Sequence, residues 1–79
     1  MNINVIYYAQ LREAVGSSKE TISVENPDAA TLYDMLKARY DFSLCRSQVR
    51  LAINDAFVDW NKPLHDGDSV VFIPPVTGG

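Results

Sequence analysis

One stretch of this chain has the length and periodicity of a full helix, and short alternating segments flank it on both sides. From residue 31 to 40, Leu32, Met35, Leu36 and Tyr40 recur at i, i+3, i+4, i+8 spacing and make one apolar stripe. Thr31 followed by Asp34 is a capping-box pattern, so the helix is predicted to start at Thr31, with Lys37 and Arg39 toward its C-terminal end, where they oppose the helix dipole. One helix with one buried stripe covers one face of one sheet. Layouts that need two long helices, such as a ferredoxin-like arrangement, are thereby excluded, and the class is α+β.

The flanking segments supply the sheet. Asn2 to Ala9 alternates, with Ile3, Val5, Tyr7 and Ala9 expected in the core and Ile6 and Tyr8 on the opposite face. Residues 11 to 15 read as a short helical turn closed by Gly16. Glu20 to Val24 alternates again, so it pairs with the first strand as a wide hairpin. Asn26-Pro27-Asp28 is a break before the helix. After it, residues 41 to 47 are irregular, with Phe42 and Leu44 tucking under the helix end. Val49 to Ile53 ends at an Asn54-Asp55 turn, Phe57 and Val58 form a short return strand, and Asp66-Gly67-Asp68 feeds the last strand, Ser69 to Ile73. A first hairpin, a helix crossing one sheet face, and a last strand lying parallel beside the first describe the β-grasp arrangement seen in ubiquitin. The expected fold is therefore a mixed sheet with one main helix.

The last strand runs into Pro74-Pro75-Val76-Thr77-Gly78-Gly79. Proline fixes φ in the extended region and biases the residue before it the same way, so the chain divides into a body over 1–73 and an extended tail over 74–79. Six extended residues span roughly 20 Å, enough to thread a partner site that the body cannot enter. Gly78 and Gly79 lack Cβ atoms and leave the terminal carboxylate unshielded. A terminal Gly-Gly arises from average composition in roughly 1 chain in 200, and with Pro-Pro before it chance is the weaker account. Chemistry at the Gly79 carboxylate is the sharper reading.

Elsewhere the chain offers little chemistry. The sequence has 79 residues and a formal charge of −3, with no basic run, so nucleic acid is not an expected partner. No apolar stretch is long enough to span a membrane, no export signal is legible, and one cysteine allows no internal disulfide, which points to the cytoplasm. Cys45 has no metal or catalytic spacing and reads as a packed or loop thiol. His65 reads as a loop side chain, and Asp66 and Asp68 as turn residues. No phosphate-binding glycine motif is present, so the chain is expected to bind no cofactor, and any ATP step belongs to a partner.

Three stretches together resemble the small subunit of molybdopterin synthase, the MoaD family. They are Val5-Ile6-Tyr7-Tyr8-Ala9-Gln10-Leu11-Arg12-Glu13 with Gly16, then Pro63-Leu64 with Asp66-Gly67-Asp68 and Val70, and Phe72 with Pro74-Pro75-Val76 and Gly78-Gly79. The resemblance implies a non-catalytic sulfur carrier. A MoeB-like adenylating enzyme would activate the Gly79 carboxylate with ATP, a sulfur donor protein would convert it to a thiocarboxylate, and the tail would insert into the large synthase subunit. There the sulfur would pass to a cyclic pyranopterin phosphate and build the dithiolene. The diglycine by itself is shared with the thiamine sulfur carrier and with ubiquitin-related protein modifiers, which are the alternatives, beside a plain interaction module.

One feature of the body points the same way. Alternation places Tyr8 on the outer sheet face near Ile73, both at the root of the tail, and Phe57 either extends that apolar patch or joins the core. A partner protein is expected to cover Tyr8, Phe57 and Ile73, and the competing reading puts Tyr8 under a loop of this same chain.

Overall fold

The structure is a computed structural model, and it describes residues 1–25 and 28–75. The strands are β1 (Asn2–Tyr7), β2 (Lys19–Ser23), β3 (Arg50–Ile53), β4 (Ala56–Val58) and β5 (Ser69–Ile73). The helices are α1 (Ala9–Val15) and α2 (Ala29–Tyr40), with a 3-10 turn at Arg46–Gln48. The strands form one sheet in the order β2-β1-β5-β3-β4, with β1 and β5 parallel and the other neighbours antiparallel. This is the β-grasp arrangement expected from the order of elements.

The core lies between the sheet and α2. Ile3, Val5 and Tyr7 on β1 and Val70 and Phe72 on β5 are fully buried, and Leu32, Tyr33 and Leu36 on α2 cover them. Tyr33 is the hinge of this packing. Its ring lies 5.1 Å from Phe72 and 5.4 Å from Trp60, and its hydroxyl donates to the carbonyl oxygen of Leu44 at 2.8 Å. Trp60 in turn stacks on Phe72 at 5.9 Å. Strand β5 is thus gripped by hydrogen bonds on both edges and by aromatic rings below, and truncating a buried aromatic such as Phe72 to alanine costs about 3–5 kcal/mol. The strand that leads into the tail is the central one of the sheet.

Three local expectations are corrected. The helix starts at Ala29, two residues before Thr31, because the Asp28 carboxylate is the N-cap and accepts the Thr31 N–H at 2.7 Å. Asp34 does not reach back to the cap; it accepts from Arg46 Nε at 3.2 Å. The buried stripe is Ala29, Leu32, Tyr33 and Leu36, with Tyr33 taking the place expected of Met35, which is 41% exposed. Ala9 is exposed and not in the core, since β1 ends at Tyr7 and Ala9, with φ 49°, turns the chain into α1. That left-handed residue carries a cost of about 1–2 kcal/mol, which the packing of Leu11 and the capping of α1 by Gly16 at φ 85° offset.

Helix α1 starts at Ala9, two residues before the expected turn, the irregular stretch ends in the 3-10 turn Arg46–Gln48, and the ends of β2 to β5 fall within one residue of those expected. Phe42 is buried and Leu44 half-buried under the end of α2. Asn54 and Asp55 both have positive φ, 52° and 70°, the conformation of a tight two-residue hairpin turn. Asn26 and Pro27 lie outside the described residues.

Candidate functional site

The outer sheet face is built by the parity of its strands. Where Val5, Tyr7, Val70 and Phe72 point to α2, the intervening Ile6, Val71 and Ile73 point away, and among the described residues no helix covers that side. Register then sets the neighbours. Ile6 lies beside Val71, Val71 beside Ala52, and Ala52 beside Phe57, so one apolar row crosses four strands. Tyr7 pairs with Phe72, which puts the next residues, Tyr8 and Ile73, together at the end of the sheet where the tail begins.

Tyr8, Phe57 and Ile73, the three interface residues expected from sequence, line one depression of about 210 Å³ together with Ala52, Val71 and Asp55. Tyr8 is 51% exposed and Phe57 is 60% exposed. Tyr8 therefore is not roofed by a loop among the described residues, and Phe57 belongs to the patch and not to the core. Sequence reading missed Val71 and Ala52. Both were legible in principle from the parity of β5 and β3, since Val71 shares the face of Ile73, and the small side chain of Ala52 leaves the hollow between Phe57 and Val71.

The tail leaves beside this depression. Pro74 is buried and Pro75 exposed, and both border a second hollow of about 250 Å³ with Ala9, Gln10 and Glu13 of α1. The first proline thus packs on the body and the second faces solvent. Val76, Thr77, Gly78 and Gly79 lie outside the described residues.

The other chemistry-bearing side chains are structural. His65 is exposed, with Nδ1 3.9 Å from Asp68 Oδ2. Asp66 Oδ1 accepts the Asn2 N–H at 2.6 Å, while the Asp68 carboxylate accepts from the His65 N–H at 2.8 Å and from Asn54 Nδ2 at 2.9 Å. These bonds tie the start of β1, the β3–β4 turn and the start of β5 into one joint. Asp68 is held below the usual carboxylate range chiefly by the His65 amide, against a smaller opposing effect of burial. Cys45 is exposed in the loop before the 3-10 turn. Among the described residues, no three His, Cys, Asp or Glu side chains cluster as metal ligands, and no helix is long and apolar enough to cross a membrane.

A five-stranded grasp around one main helix, with an apolar outer face at the root of a C-terminal tail, defines the ubiquitin-like β-grasp class. The model of the ThiS family matches residues 5–79, and the chain belongs to that family. It is 36% identical over 80 residues to the molybdopterin synthase sulfur carrier subunit of Escherichia coli, covering 98% of this chain and 99% of that one. It is 35% identical to the molybdopterin synthase sulfur carrier subunit of Mycobacterium tuberculosis, covering 100% of this chain and 99% of the relative. Among solved structures it is similar to a chain of the complex of subunits 1 and 2 of the molybdopterin-converting factor from Helicobacter pylori, with a TM-score of 0.71, 25% identity and 100% of both chains covered.

Proposed function

We propose that this chain is the sulfur carrier subunit of a molybdopterin synthase and that its C-terminal Gly79 carboxylate carries the sulfur. The observation that carries the reading is the end-to-end likeness to the Escherichia coli sulfur carrier subunit, at 36% identity over 98% of the chain. The apolar depression at the root of the tail supports it, because a carrier must dock before its terminus can be threaded. A thiamine sulfur carrier or a ubiquitin-related modifier is not favoured, since the relatives at 36% and 35% identity are both molybdopterin synthase subunits.

The chemistry follows from what a carboxylate lacks. Its negative oxygen is a poor leaving group, so a MoeB-like enzyme first transfers AMP from ATP onto it and releases pyrophosphate. Hydrosulfide delivered by a donor protein then attacks the acyl carbon, the C–S bond forming as the C–O bond to AMP breaks, and leaves a thiocarboxylate at Gly79. That sulfur is softer than oxygen and more nucleophilic, and it attacks the cyclic pyranopterin monophosphate bound in the large subunit. The acid and base groups belong to the large subunit, and ATP to the activating enzyme. This chain binds no cofactor, contacts neither nucleic acid nor membrane, is not itself an enzyme and works in the cytoplasm. Pro75, Val76, Thr77 and Gly78 form the inserted stalk, Pro74 anchors its root on the body, and Tyr8, Phe57 and Ile73 form the docking surface.

The test is the intact mass of the purified chain after incubation with ATP, a sulfur source and the activating enzyme. One oxygen exchanged for sulfur at the C-terminus is the expected result, together with its loss in a chain that lacks Gly79. A chain without Gly79 that still supports molybdopterin formation in a reconstituted assay overturns the reading.

A further inference from the structure

We propose that Arg50 sets partner specificity on the outer sheet face by reading a carboxylate on the rim of the protein that covers it. The inference rests on the sulfur-carrier reading, which supplies a large subunit as the occupant, and it adds the chemistry that this occupant must present.

Arg50 belongs to the patch by register. It is the Cα partner of Ile73 across β3 and β5, so Tyr8, Ile73 and Arg50 form the last row of the outer face before the tail. Its guanidinium carbon lies 4.0 Å from the centroid of the Phe57 ring. At that distance the cation is held over the ring by cation–π attraction, and its N–H groups make no hydrogen bond among the described residues, so they are open to other partners. Other arginines of the chain are engaged differently. Arg39 lies 3.9 Å from Glu20 and Arg46 lies 3.2 Å from Asp34, whereas neither Arg12 nor Arg50 forms an ion pair among the described residues, and of these two only Arg50 lies over an aromatic ring of the outer sheet face.

The energetic argument concerns what happens when the patch is covered. A protein that buries Phe57 and Ile73 also removes the Arg50 guanidinium, held over Phe57, from water. Desolvating an unpaired cation costs more than the apolar contacts beside it return, so a partner with a purely apolar face is rejected. A partner with a carboxylate opposite Arg50 is accepted, and a planar fork already held over the ring loses little entropy in forming two parallel bonds to it. Asp55 lines the depression of Tyr8, Phe57 and Ile73 on the side of the β3–β4 turn, whereas Arg50 lines a neighbouring hollow that shares Phe57 and includes Asp59. The patch is therefore positive at its tail-root row and negative at its far end, and this polarity fixes which way round the partner sits.

The experiment measures binding of the full chain to its cognate large subunit by calorimetry at low and raised salt. Arg50→Glu is expected to weaken binding about tenfold or more at low salt, Arg50→Gln less, and both are expected to flatten the salt dependence seen with the native chain. Arg46→Glu makes the same charge change on the helix side, where it breaks only a surface pair, and is expected to leave binding unchanged. Unaltered affinity and salt dependence in both Arg50 variants overturn the role of Arg50 while leaving the carrier reading standing. Equal weakening by Arg46→Glu overturns it as well, because net charge alone would then explain the loss. A native chain that binds no large subunit at any salt overturns both readings. A dimer of the chain alone in sedimentation that Arg50→Glu dissociates assigns the face to a second copy and overturns the proposal.

Discussion

The hydroxyl of Tyr7, a residue with no exposed surface, donates to Glu20 Oε2 at 2.9 Å, across from β1 to β2. The hydroxyl of Tyr40, at the last turn of α2, lies 2.8 Å from both oxygens of the same carboxylate. Glu20 occupies the core-facing parity of β2, where Ile22 is buried, and so joins the hairpin to the end of the helix. Arg39 adds a long, half-exposed contact at 3.9 Å, which contributes little by itself.

Glu20→Ala leaves the Tyr7 hydroxyl without its partner in the core, and the expected loss is about 1–3 kcal/mol of stability. Tyr40→Phe removes one donor from a carboxylate that keeps the other, so its cost is expected to be smaller. Urea denaturation of the two variants checks the order. A native midpoint in Glu20→Ala shows that the carboxylate holds nothing together.

The same tyrosines predict how the fold fails in alkali. Burial and then the bond to Glu20 raise the phenol of Tyr7 above its ordinary range, the bond to Glu20 and then burial raise that of Tyr40, and burial pushes Tyr33 up to about 12. The folded chain therefore holds these protons more tightly than the unfolded chain. Stability from them is complete below the ordinary phenol value of about 10 and declines as pH rises above it. The tyrosinate absorbance of these residues is expected to appear together with loss of circular dichroism. Full titration of all four tyrosines in the ordinary range with the fold intact contradicts this.

Asp68 gives the opposite dependence on the acid side. Its folded value lies below the usual carboxylate range, so its contribution is present above about pH 4 and is lost as pH falls through the lower folded value. Asp68→Asn is expected to cost about 1–2 kcal/mol at neutral pH and much less in acid, where the native carboxylate is itself protonated. Denaturation midpoints at the two pH values decide it. A variant penalty that is equal in acid and at neutrality shows that the joint depends on shape and not on charge.

Tyr8→Asp and Phe57→Asp place a charge in the depression without touching the core, since the two side chains are 51% and 60% exposed. Both variants are expected to melt close to the native temperature and to lose association with the large subunit at least tenfold. Variants that unfold early yet bind normally when folded remove these residues from the interface.

The sequence by itself determined what depends on neighbours a few residues apart. The parity of β1 put Ile3, Val5 and Tyr7 inward and Tyr8 outward, and the Asn54-Asp55 pair fixed the β3–β4 turn. The unbroken order of segments, with one long helical stripe, left room for one architecture, and the Pro-Pro and Gly-Gly steps marked the tail. Tertiary structure decided where two faces or two starts were locally equivalent. Phe57 on a three-residue strand had no parity to read until pairing with Ala52 turned it outward. Tyr33 replaced Met35 in the core because its ring meets Phe72 and Trp60, residues far along the chain, and Asp28, not Thr31, proved to be the cap. Glu20 looked like an ordinary strand carboxylate until Tyr7 and Tyr40 converged on it from two other elements. Local patterns record which side chains share a face, whereas the covering of that face is a free energy shared between distant segments, which exists only when the chain has closed.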